Sequence, residues 1–365
     1  MTFPSKHMKF IDEFRDKQIA EGLIEKIKKT STRPIQLMEV CGTHTVSIFR
    51  YGIRGLLPEQ IRLVSGPGCP VCVTPNGDID FAIALSRQKD VILTTFGDMM
   101  KVPGSTSSLQ KEKAEGRDIR IIYSSLEALK IAKENPEKKV IFFAIGFETT
   151  SPTIAVAILH TKEERIQNLF FLNSQKRVPP AILALLQSKE LKIDGFILPG
   201  HVSAIIGTAP YQFISKDFSL PAIITGFEPL DILQGIWMLV KQIEEKRPAL
   251  EIQYRRVVNK EGNPIALSKI NEVFEKDAAL WRGLGSIPDS GYQFKKPYEE
   301  LNAKNFGVEV EPPKEHPECL CGEVLKGVKT PLECRLFKVA CHPENPIGPC
   351  MVSIEGTCHT YFKFQ

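Results

Sequence analysis

Cysteine is the residue type of this chain that is best suited to chemistry, and the cysteines fall into two groups. The chain has 365 residues and nine cysteines. Cys41, Cys69 and Cys72 lie early in the chain. The other six lie near its end, at Cys319, Cys321, Cys334, Cys341, Cys350 and Cys358. Clustered thiols in a reducing compartment favour metal or redox chemistry over structural disulfides. The distribution therefore predicts two separate thiol sites.

The first candidate site combines a thiol with an imidazole. Cys41 and His44 share a polar loop, Cys41-Gly42-Thr43-His44, directly after a predicted strand. A thiolate at the start of a helix has a lowered pKa and is both a nucleophile and an iron ligand. A buried, inert cysteine is the structural alternative, which the polar, Gly-containing loop disfavours.

Cys69 and Cys72 have the spacing of a dithiol pair that can close to a disulfide. The same spacing also supplies half of a zinc or cluster site. No second CxxC follows at the distance found in zinc ribbons, so a complete local zinc site is disfavoured. A redox pair and two ligands of a shared site both stay open.

The six C-terminal cysteines fit an iron–sulfur cluster better than zinc. A [4Fe–4S] cluster takes four thiolates, so two cysteines are left over, and the spacings offer several foursomes. The spacing matches neither a bacterial ferredoxin nor a CxxxCxxC run. His342 and His359 each adjoin a cysteine and are alternative ligands.

Other polar residues follow predicted strands, where ligands bind in parallel sheets. Glu148 and Glu228 each either cap a following helix or face a cleft. Thr149 is beside Glu148, and His201 lies in a Pro-Gly loop, where a core histidine is its structural alternative. A similar loop, Asn173-Ser174-Gln175, follows another strand. Together these loops predict a cleft between two facing units.

The elements that position these loops are predicted from short apolar, β-branched runs that alternate with helical patterns. Such runs are typical of parallel strands covered on both faces. We place a first group of four strands at 35–40, 61–65, 91–95 and 120–123, and a second group at 140–145, 169–172, 193–198 and 222–225. The predicted fold class is α/β. It has two similar units, each with a roughly four-stranded parallel sheet flanked by helices, and a smaller irregular Cys-rich iron–sulfur domain.

This interpretation divides the chain into four segments. Residues 1–32 form an N-terminal helix that packs with the C-terminal domain, and residues 33–138 form the first α/β domain, with Cys41 and the CxxC pair. Residues 139–250 form the second α/β domain, and residues 251–365 form the iron–sulfur domain.

Composition excludes several classes of protein. The net charge is +4, with Lys and Arg scattered along the chain, which argues against nucleic-acid binding. No run reaches the roughly 18 apolar residues of a membrane span. The N-terminus lacks the pattern of a signal peptide, so we expect a cytoplasmic protein. Neither a phosphate-binding GxxxxGK[ST] loop nor a GxGxxG after a strand is found.

Five segments resemble the HypD family of hydrogenase maturation proteins, in the same order and over essentially the whole chain. They are 41–44, 66–72, 146–150, 199–203 and 226–229, and the end of the chain around Cys350 and Cys358 is similar too. Several of these motifs are long and unusual. One departure is Val46, where a second histidine is common in the family.

The resemblance implies a scaffold, rather than a turnover enzyme, on which the Fe(CN)2(CO) unit of [NiFe]-hydrogenases is assembled. It implies a complex with HypC, the iron chaperone, and with HypE, the cyanide donor; we expect the chain to be monomeric alone. Cys41 would hold the iron transiently, with the N-terminal cysteine of HypC as co-ligand and His44 beside it. Cys69 and Cys72 would relay electrons between cluster and iron.

The cluster quartet that we predict rests partly on this resemblance. It consists of Cys319, Cys334, Cys341 and Cys358, and it leaves Cys321 and Cys350 as a candidate redox pair beside a [4Fe–4S] cluster. The main alternative function is a cluster-dependent disulfide reductase, which needs neither Cys41 nor His44. A structural zinc protein is the third hypothesis.

Overall fold

The computed structural model describes residues 11–188, 190 and 192–365, and the described strands form two parallel sheets and one hairpin. The eight predicted strands are confirmed within a few residues. The strands are β1 (Ile35–Glu39), β2 (Ile61–Ser65), β3 (Val91–Thr95), β4 (Ile119–Ile121), β5 (Lys139–Ala144), β6 (Leu169–Asn173), β7 (Gly195–Pro199), β8 (Ala222–Thr225), β9 (Leu250–Ile252), β10 (Phe274–Trp281) and β11 (Gly285–Phe294). The α/β fold class is therefore confirmed.

Helices connect the parallel strands and cover the sheets, because parallel strands need long crossover connections. They are α1 (Lys17–Thr30), α2 (Gly42–Arg50), α3 (Ile53–Leu56), α4 (Pro70–Val73), α5 (Asn76–Ser86), α6 (Leu109–Ala114), α7 (Ser125–Glu134), α8 (Ser151–Glu163), α9 (Val178–Gln187), α10 (Gly200–Ile206), α11 (Gln212–Lys216), α12 (Pro229–Glu244), α13 (Pro264–Val273), α14 (Cys321–Leu325), α15 (Pro349–Val352) and α16 (Thr357–Phe364). No helix in the described ranges is long and apolar enough to cross a membrane.

The pairing of the strands differs from the predicted grouping. Sheet A has the order β2-β1-β7-β8-β9, and sheet B has the order β4-β3-β5-β6. Assigning β1–β4 to one sheet and β5–β8 to the other is therefore wrong. β1 pairs with β7, with Leu37 opposite Gly195, and β3 pairs with β5, with Val91 opposite Lys139. An apolar run identifies a strand, but its neighbour is chosen by contacts between distant segments.

The chain consequently passes back and forth between two compact units. The described residues up to 66 and from 192 to 262 form unit A, around sheet A. Those from 67 to 190 and from 263 to 363 form unit B, around sheet B. The Cys-rich C-terminal segment belongs to unit B, together with the β10–β11 hairpin.

The N-terminal helix α1 packs on α12 within unit A. Asp16 caps α1, because its carboxylate accepts the backbone N–H of Ile19 at 3.0 Å. Ile24 and Ile27 are buried in the core of this unit, together with apolar residues of α12. The prediction that this helix packs with the C-terminal domain is therefore wrong. Its apolar face is completed by α12, an element close in space but about 200 residues away in sequence.

Candidate functional site

Cys41 lies in unit A, between the end of β1 and the start of α2. β1 ends at Glu39, and Cys41 is the N-cap residue of α2. Its side chain is half-buried. The positive end of the helix dipole favours a thiolate at this position. The predicted strand–thiol–helix arrangement is therefore present in the structure.

His44, on the first turn of α2, is fully buried and held by the end of β8. Its Nε2 lies 2.9 Å from the carbonyl oxygen of Gly226 and 2.8 Å from the hydroxyl of Thr225. Because a carbonyl oxygen only accepts hydrogen bonds, Nε2 carries the ring proton. Nδ1 then has the lone pair, and this buried atom has no partner within the described ranges. Desolvation lowers the pKa of His44 to about 4, although the hydrogen bonds to Gly226 and Thr225 oppose the shift.

Phe227 brings His201 into the same neighbourhood. The Phe227 ring stacks on the His44 imidazole at 4.6 Å between centroids and on the His201 imidazole at 3.9 Å. His201 opens α10 after β7 and remains exposed, whereas His44 is buried. The two histidines are therefore brought together through one aromatic ring, and neither is an isolated core residue.

Glu228 occupies the N-cap position of α12, next to Phe227. Its carboxylate accepts two hydrogen bonds from Arg15, at 2.6 and 2.9 Å. Asp231 accepts the backbone N–H of Glu228 at 3.3 Å and forms a bidentate ion pair with Arg256, at 2.5 and 2.7 Å. Capping was one of the two alternatives for Glu228. Glu228 directly follows Phe227, whose ring stacks on His44 and His201.

In unit B, the CxxC pair forms the start of α4 and is buried. Cys69 is the N-cap residue, and its sulfur accepts the backbone N–H of Cys72 at 3.4 Å. The Cys72 side chain is completely buried and its sulfur lies 4.0 Å from the carbonyl oxygen of Pro349. Desolvation raises the pKa of Cys72 well above its ordinary value.

The six C-terminal cysteines converge in the same unit. The predicted cluster quartet and Cys321 line one cavity: Cys319, Cys321, Cys334, Cys341 and Cys358. Cys350 contacts this group from α15. The neighbouring thiols of Cys321, Cys358 and Cys72 shift the pKa of the buried Cys350 thiol, and their combined effect with burial raises it. A continuous run of thiols therefore leads from the CxxC pair, through Cys350, to the cavity.

The walls of this cavity suit an iron–sulfur cluster. Leu336, Phe337 and Met351 supply apolar surface around the thiols. Burial raises the pKa of the Cys341 thiol, and a bound metal would deprotonate it. Within the described ranges, no three His, Cys, Asp or Glu side chains converge as ligands of one metal ion. Thiols spread around a cavity fit a multi-atom cluster.

Gly348 approaches the thiols of this cavity more closely than any larger residue could. A Cβ at this position would lie 2.8 Å from the sulfur of Cys319 and 3.0 Å from that of Cys321. His359, an alternative ligand in the sequence, instead places its Nδ1 3.0 Å from the carbonyl oxygen of Met351.

Known proteins are similar to this chain over nearly its whole length. A family model described as "HypD: Hydrogenase formation hypA family" matches residues 18–365. The chain belongs to the HypD family. Hydrogenase maturation factor HypD2 of Bradyrhizobium diazoefficiens is 46% identical over 368 residues, covering 98% of this chain and 97% of the relative. Hydrogenase maturation factors HypD of Cupriavidus necator and Escherichia coli are each 43% identical, covering 98% of this chain and 97% and 98% of the relatives. The resemblance stated from the motifs is confirmed.

Two other candidate residues of this HypD-family chain, Glu148 and Thr149, also lie in unit B. They are far in sequence from the cysteines of the cavity. Glu148 is 1% exposed, and its carboxylate accepts the backbone N–H of Val178 at 3.1 and 3.2 Å. It therefore caps α9 rather than the helix that follows it. Desolvation raises the pKa of Glu148 to about 7. Thr149, beside it, is exposed.

Sequence reasoning missed Glu39, two residues before Cys41. This HypD-family chain buries the Glu39 side chain at the end of β1, where Oε1 accepts the hydroxyl of Thr45 at 2.7 Å. Desolvation raises the pKa of Glu39 to about 8. The contact joins the end of β1 to α2 on either side of Cys41. An acidic residue directly after the apolar pair Leu37-Met38, at the end of the strand, was the signal in the sequence.

Proposed function

We propose that this HypD-family chain is the scaffold on which the Fe(CN)2(CO) unit of [NiFe]-hydrogenases is assembled, together with HypC. The observation that supports this proposal best is the run of thiols in unit B. The cysteine quartet lines one cavity. Cys350 neighbours the thiols of this cavity, and Cys72 of the CxxC pair neighbours Cys350. Cys41, at a helix start beside His44, adds a separate thiol suited to iron.

The resident cofactor in this proposal is a [4Fe–4S] cluster held by Cys319, Cys334, Cys341 and Cys358. When bound, such a cluster supplies single electrons at a low potential. The apolar side chains of Leu336, Phe337 and Met351 keep water from the thiols. Cys321 lines the same cavity and contacts Cys350, so these two form the candidate redox pair beside the quartet.

The CxxC pair serves as the dithiol relay. Cys69 and Cys72 lie in one turn, and their thiols can close to a disulfide with the release of two electrons and two protons. Burial keeps the Cys72 thiol protonated until a partner accepts its proton. The contact between Cys72 and Cys350 is the route by which this pair exchanges with the thiols around the cavity.

Cys41 holds the iron cargo in unit A. A thiolate is the soft ligand that iron with cyanide and carbonyl ligands requires, and the start of α2 stabilises its charge. We assign His44, His201 and Glu228 to the surroundings of this cargo. HypC brings the iron and HypE supplies cyanide in this proposal, and the chain alone is a monomer that works in the cytoplasm.

The proposal is tested by infrared spectroscopy of the chain purified without oxygen after co-expression with HypC and the cyanide-supplying proteins. We expect bands of metal-bound cyanide and carbonyl ligands. Cys41→Ala should abolish these bands while keeping the brown colour of the cluster. Ser47→Ala, on the same helix, is the matched control and should keep both.

A brown complex without cyanide or carbonyl bands would overturn the scaffold role. The buried CxxC pair beside Cys350 would then favour a cluster-dependent disulfide reductase. That activity should survive Cys41→Ala and be lost in Cys72→Ser. A colourless protein with zinc and no labile sulfide would contradict both functions.

A further inference from the structure

A second cavity of unit B adjoins the cysteine cavity, and we call it the entry cavity. It has a volume of about 290 Å3 and lies between residues 103–105, 314–316 and 347–348. Cys319, Cys321 and Gly348 line both cavities. A Cβ at Gly348 would lie 2.8 Å from the sulfur of Cys319 and 3.0 Å from that of Cys321. The two sulfurs therefore lie at the wall that the cavities share.

The entry cavity leads from solvent to one thiol of the candidate redox pair. Residues 314–316 form its rim and are exposed. Cys321, at its inner wall, is 5% exposed. Cys350 is completely buried and is not among the described residues that line either cavity. A molecule in the entry cavity therefore meets the sulfur of Cys321 and not that of Cys350.

Arg282 brings a buried positive charge to the wall of the entry cavity. Its side chain is 4% exposed. Its Nε donates to the carbonyl oxygen of Thr74 at 3.2 Å, and Nη1 donates to Glu315 at 2.8 Å. Its Nη2 donates to Oδ1 of Asn76. A guanidinium has five N–H groups, so these described contacts leave two donors for a ligand.

The charges of the entry cavity favour an anion. The neighbouring Cys321 thiol and burial raise the pKa of the Cys319 thiol, and the Arg282 guanidinium opposes this shift, so its charge acts on these thiols. Lys314 adds a second cation at the rim. Glu315 is the one acidic residue among the described residues of the wall. An anionic group would gain charge-assisted hydrogen bonds from the remaining guanidinium N–H groups.

We propose that the entry cavity binds a small anionic thiol, which reduces a disulfide between Cys321 and Cys350. The negative group of this molecule faces Arg282 and Lys314, and its sulfur faces Cys321. The inference rests on the proposed function, in which Cys321 and Cys350 form a redox pair. It adds the class of molecule that brings electrons to this pair and the place where that molecule enters.

The reaction is a thiol–disulfide exchange in two steps. The thiolate of the first molecule attacks the Cys321 sulfur, the bond to Cys350 breaks, and Cys350 leaves as a thiolate. A second thiolate then attacks the sulfur of the bound molecule and releases Cys321. Two thiols are oxidised to one small disulfide, and the two protons that they lose protonate Cys321 and Cys350.

The test compares three thiols of similar length on the full, cluster-bearing chain after mild oxidation with diamide: 3-mercaptopropionate, 3-mercaptopropanol and cysteamine. Mass spectrometry of quenched samples measures loss of the Cys321–Cys350 linkage. Each rate is divided by the rate of the same thiol with a small disulfide, which removes differences in thiol reactivity. We expect mercaptopropionate to be at least about tenfold faster than cysteamine, with the neutral thiol between them. The transient adduct should be on Cys321.

Two variants test the assigned charges. Arg282→Met should bring the normalised rates of mercaptopropionate and mercaptopropanol within about twofold of each other. Lys314→Gln should reduce the preference for the anion at least about twofold. Lys130→Gln, an exposed lysine on α7 outside the cavity, is the matched control and should keep the full preference. If Arg282→Met fails to fold, the three thiols on the unchanged chain and Lys314→Gln still decide.

The contrary outcomes separate this inference from the proposed function. Equal normalised rates for the three thiols, or an adduct on Cys350, would overturn the inference and leave the redox pair intact. Failure of Cys321 and Cys350 to form a disulfide on oxidation would overturn the redox pair and the inference together.

Discussion

Gly348 shows how one residue without a side chain shapes the cysteine cavity. The cavity walls are made by thiols and apolar side chains, and Gly348 closes the space beside Cys319 and Cys321. A Cβ there would come within 2.8 Å of the Cys319 sulfur, which is shorter than non-bonded atoms tolerate. The geometry of the predicted quartet therefore depends on the absence of a methyl group.

We expect Gly348→Ala to reduce the iron and labile sulfide bound per chain by at least about half, because Cys319 must move to make room. Iron and sulfide analysis after anaerobic purification, with the visible absorption spectrum, measures this. Gly22→Ala is the control, since nothing lies within 4 Å of a Cβ at that helical position. If Gly348→Ala binds as much iron and sulfide as the wild type, Cys319 does not lie against this glycine in the cluster-bearing chain.

At the residue scale, the sequence identified the cysteines and His44 because their types are rare and their spacing is distinctive. It could not predict that His44 is neutral, because that state comes from burial, or that Nε2 carries the proton, because this depends on the carbonyl oxygen of Gly226, about 180 residues further along. It also missed Glu39, whose burial follows from the sheet around it. Chemistry-bearing residue types are visible in a sequence, whereas their environment is a tertiary property.

At the scale of elements, Glu148 links the end of one strand to the start of a distant helix. Its carboxylate caps α9 from the loop after β5. The group is buried, no cation among the described residues forms a hydrogen bond with it, and desolvation raises its pKa from 4.5 to about 7. A carboxyl group with a raised pKa stabilises the folded chain below the pKa of the unfolded state. That contribution is lost as the pH rises through the folded pKa.

Glu148→Gln should therefore remove a pH dependence of stability between about pH 4.5 and 8. The shift corresponds to about 3 kcal/mol at 1.36 kcal/mol per pKa unit, lost by the wild type and not by the variant. The glutamine oxygen can still accept from Val178. Urea unfolding across this pH range measures the difference, with the exposed Glu115→Gln expected to follow the wild type. If the free energy of unfolding depends on pH in the same way for wild type and Glu148→Gln, this explanation is contradicted.

Elements themselves were predictable because β-branched apolar runs and helical periodicity are local properties. All eight strands appear close to their expected positions. Their partners were not predictable, because pairing is decided by which buried faces fit together. The strands β5 and β8, both followed by Gly-Phe-Glu, were assigned to the same second unit. In the structure these strands lie in different sheets.

At the scale of the whole molecule, both units are built from two separate stretches of chain. Unit A needs residues up to 66 and from 192 to 262, so no cut near residue 138 leaves a complete sheet. A fragment of residues 33–138 contains β1 and β2 of sheet A and β3 and β4 of sheet B. Each pair of strands would lack the neighbours that cover it.

We expect the fragment 33–138 to show no cooperative thermal unfolding and to be cleaved by protease throughout. A fusion of residues 11–66 to 192–262 through a long Gly/Ser linker restores all five strands of sheet A and is the comparison. It should unfold in a single transition, as small domains usually do. Cooperative unfolding of 33–138 would contradict the assignment of its strands to two sheets.

The interleaved strands also set an order of events during synthesis. Sheet B can close once β6 has left the ribosome, whereas β1, made much earlier, must wait for β7. Sheet A is completed only with β9, and the cysteine cavity only with Cys358, seven residues before the last. Long-range pairing of this kind slows folding and leaves strands exposed. The newborn chain thus carries Cys41, Cys69 and Cys72 long before Cys358, the last thiol of the cavity, is synthesised, and a chain that is truncated before Cys358 lacks one wall of that cavity.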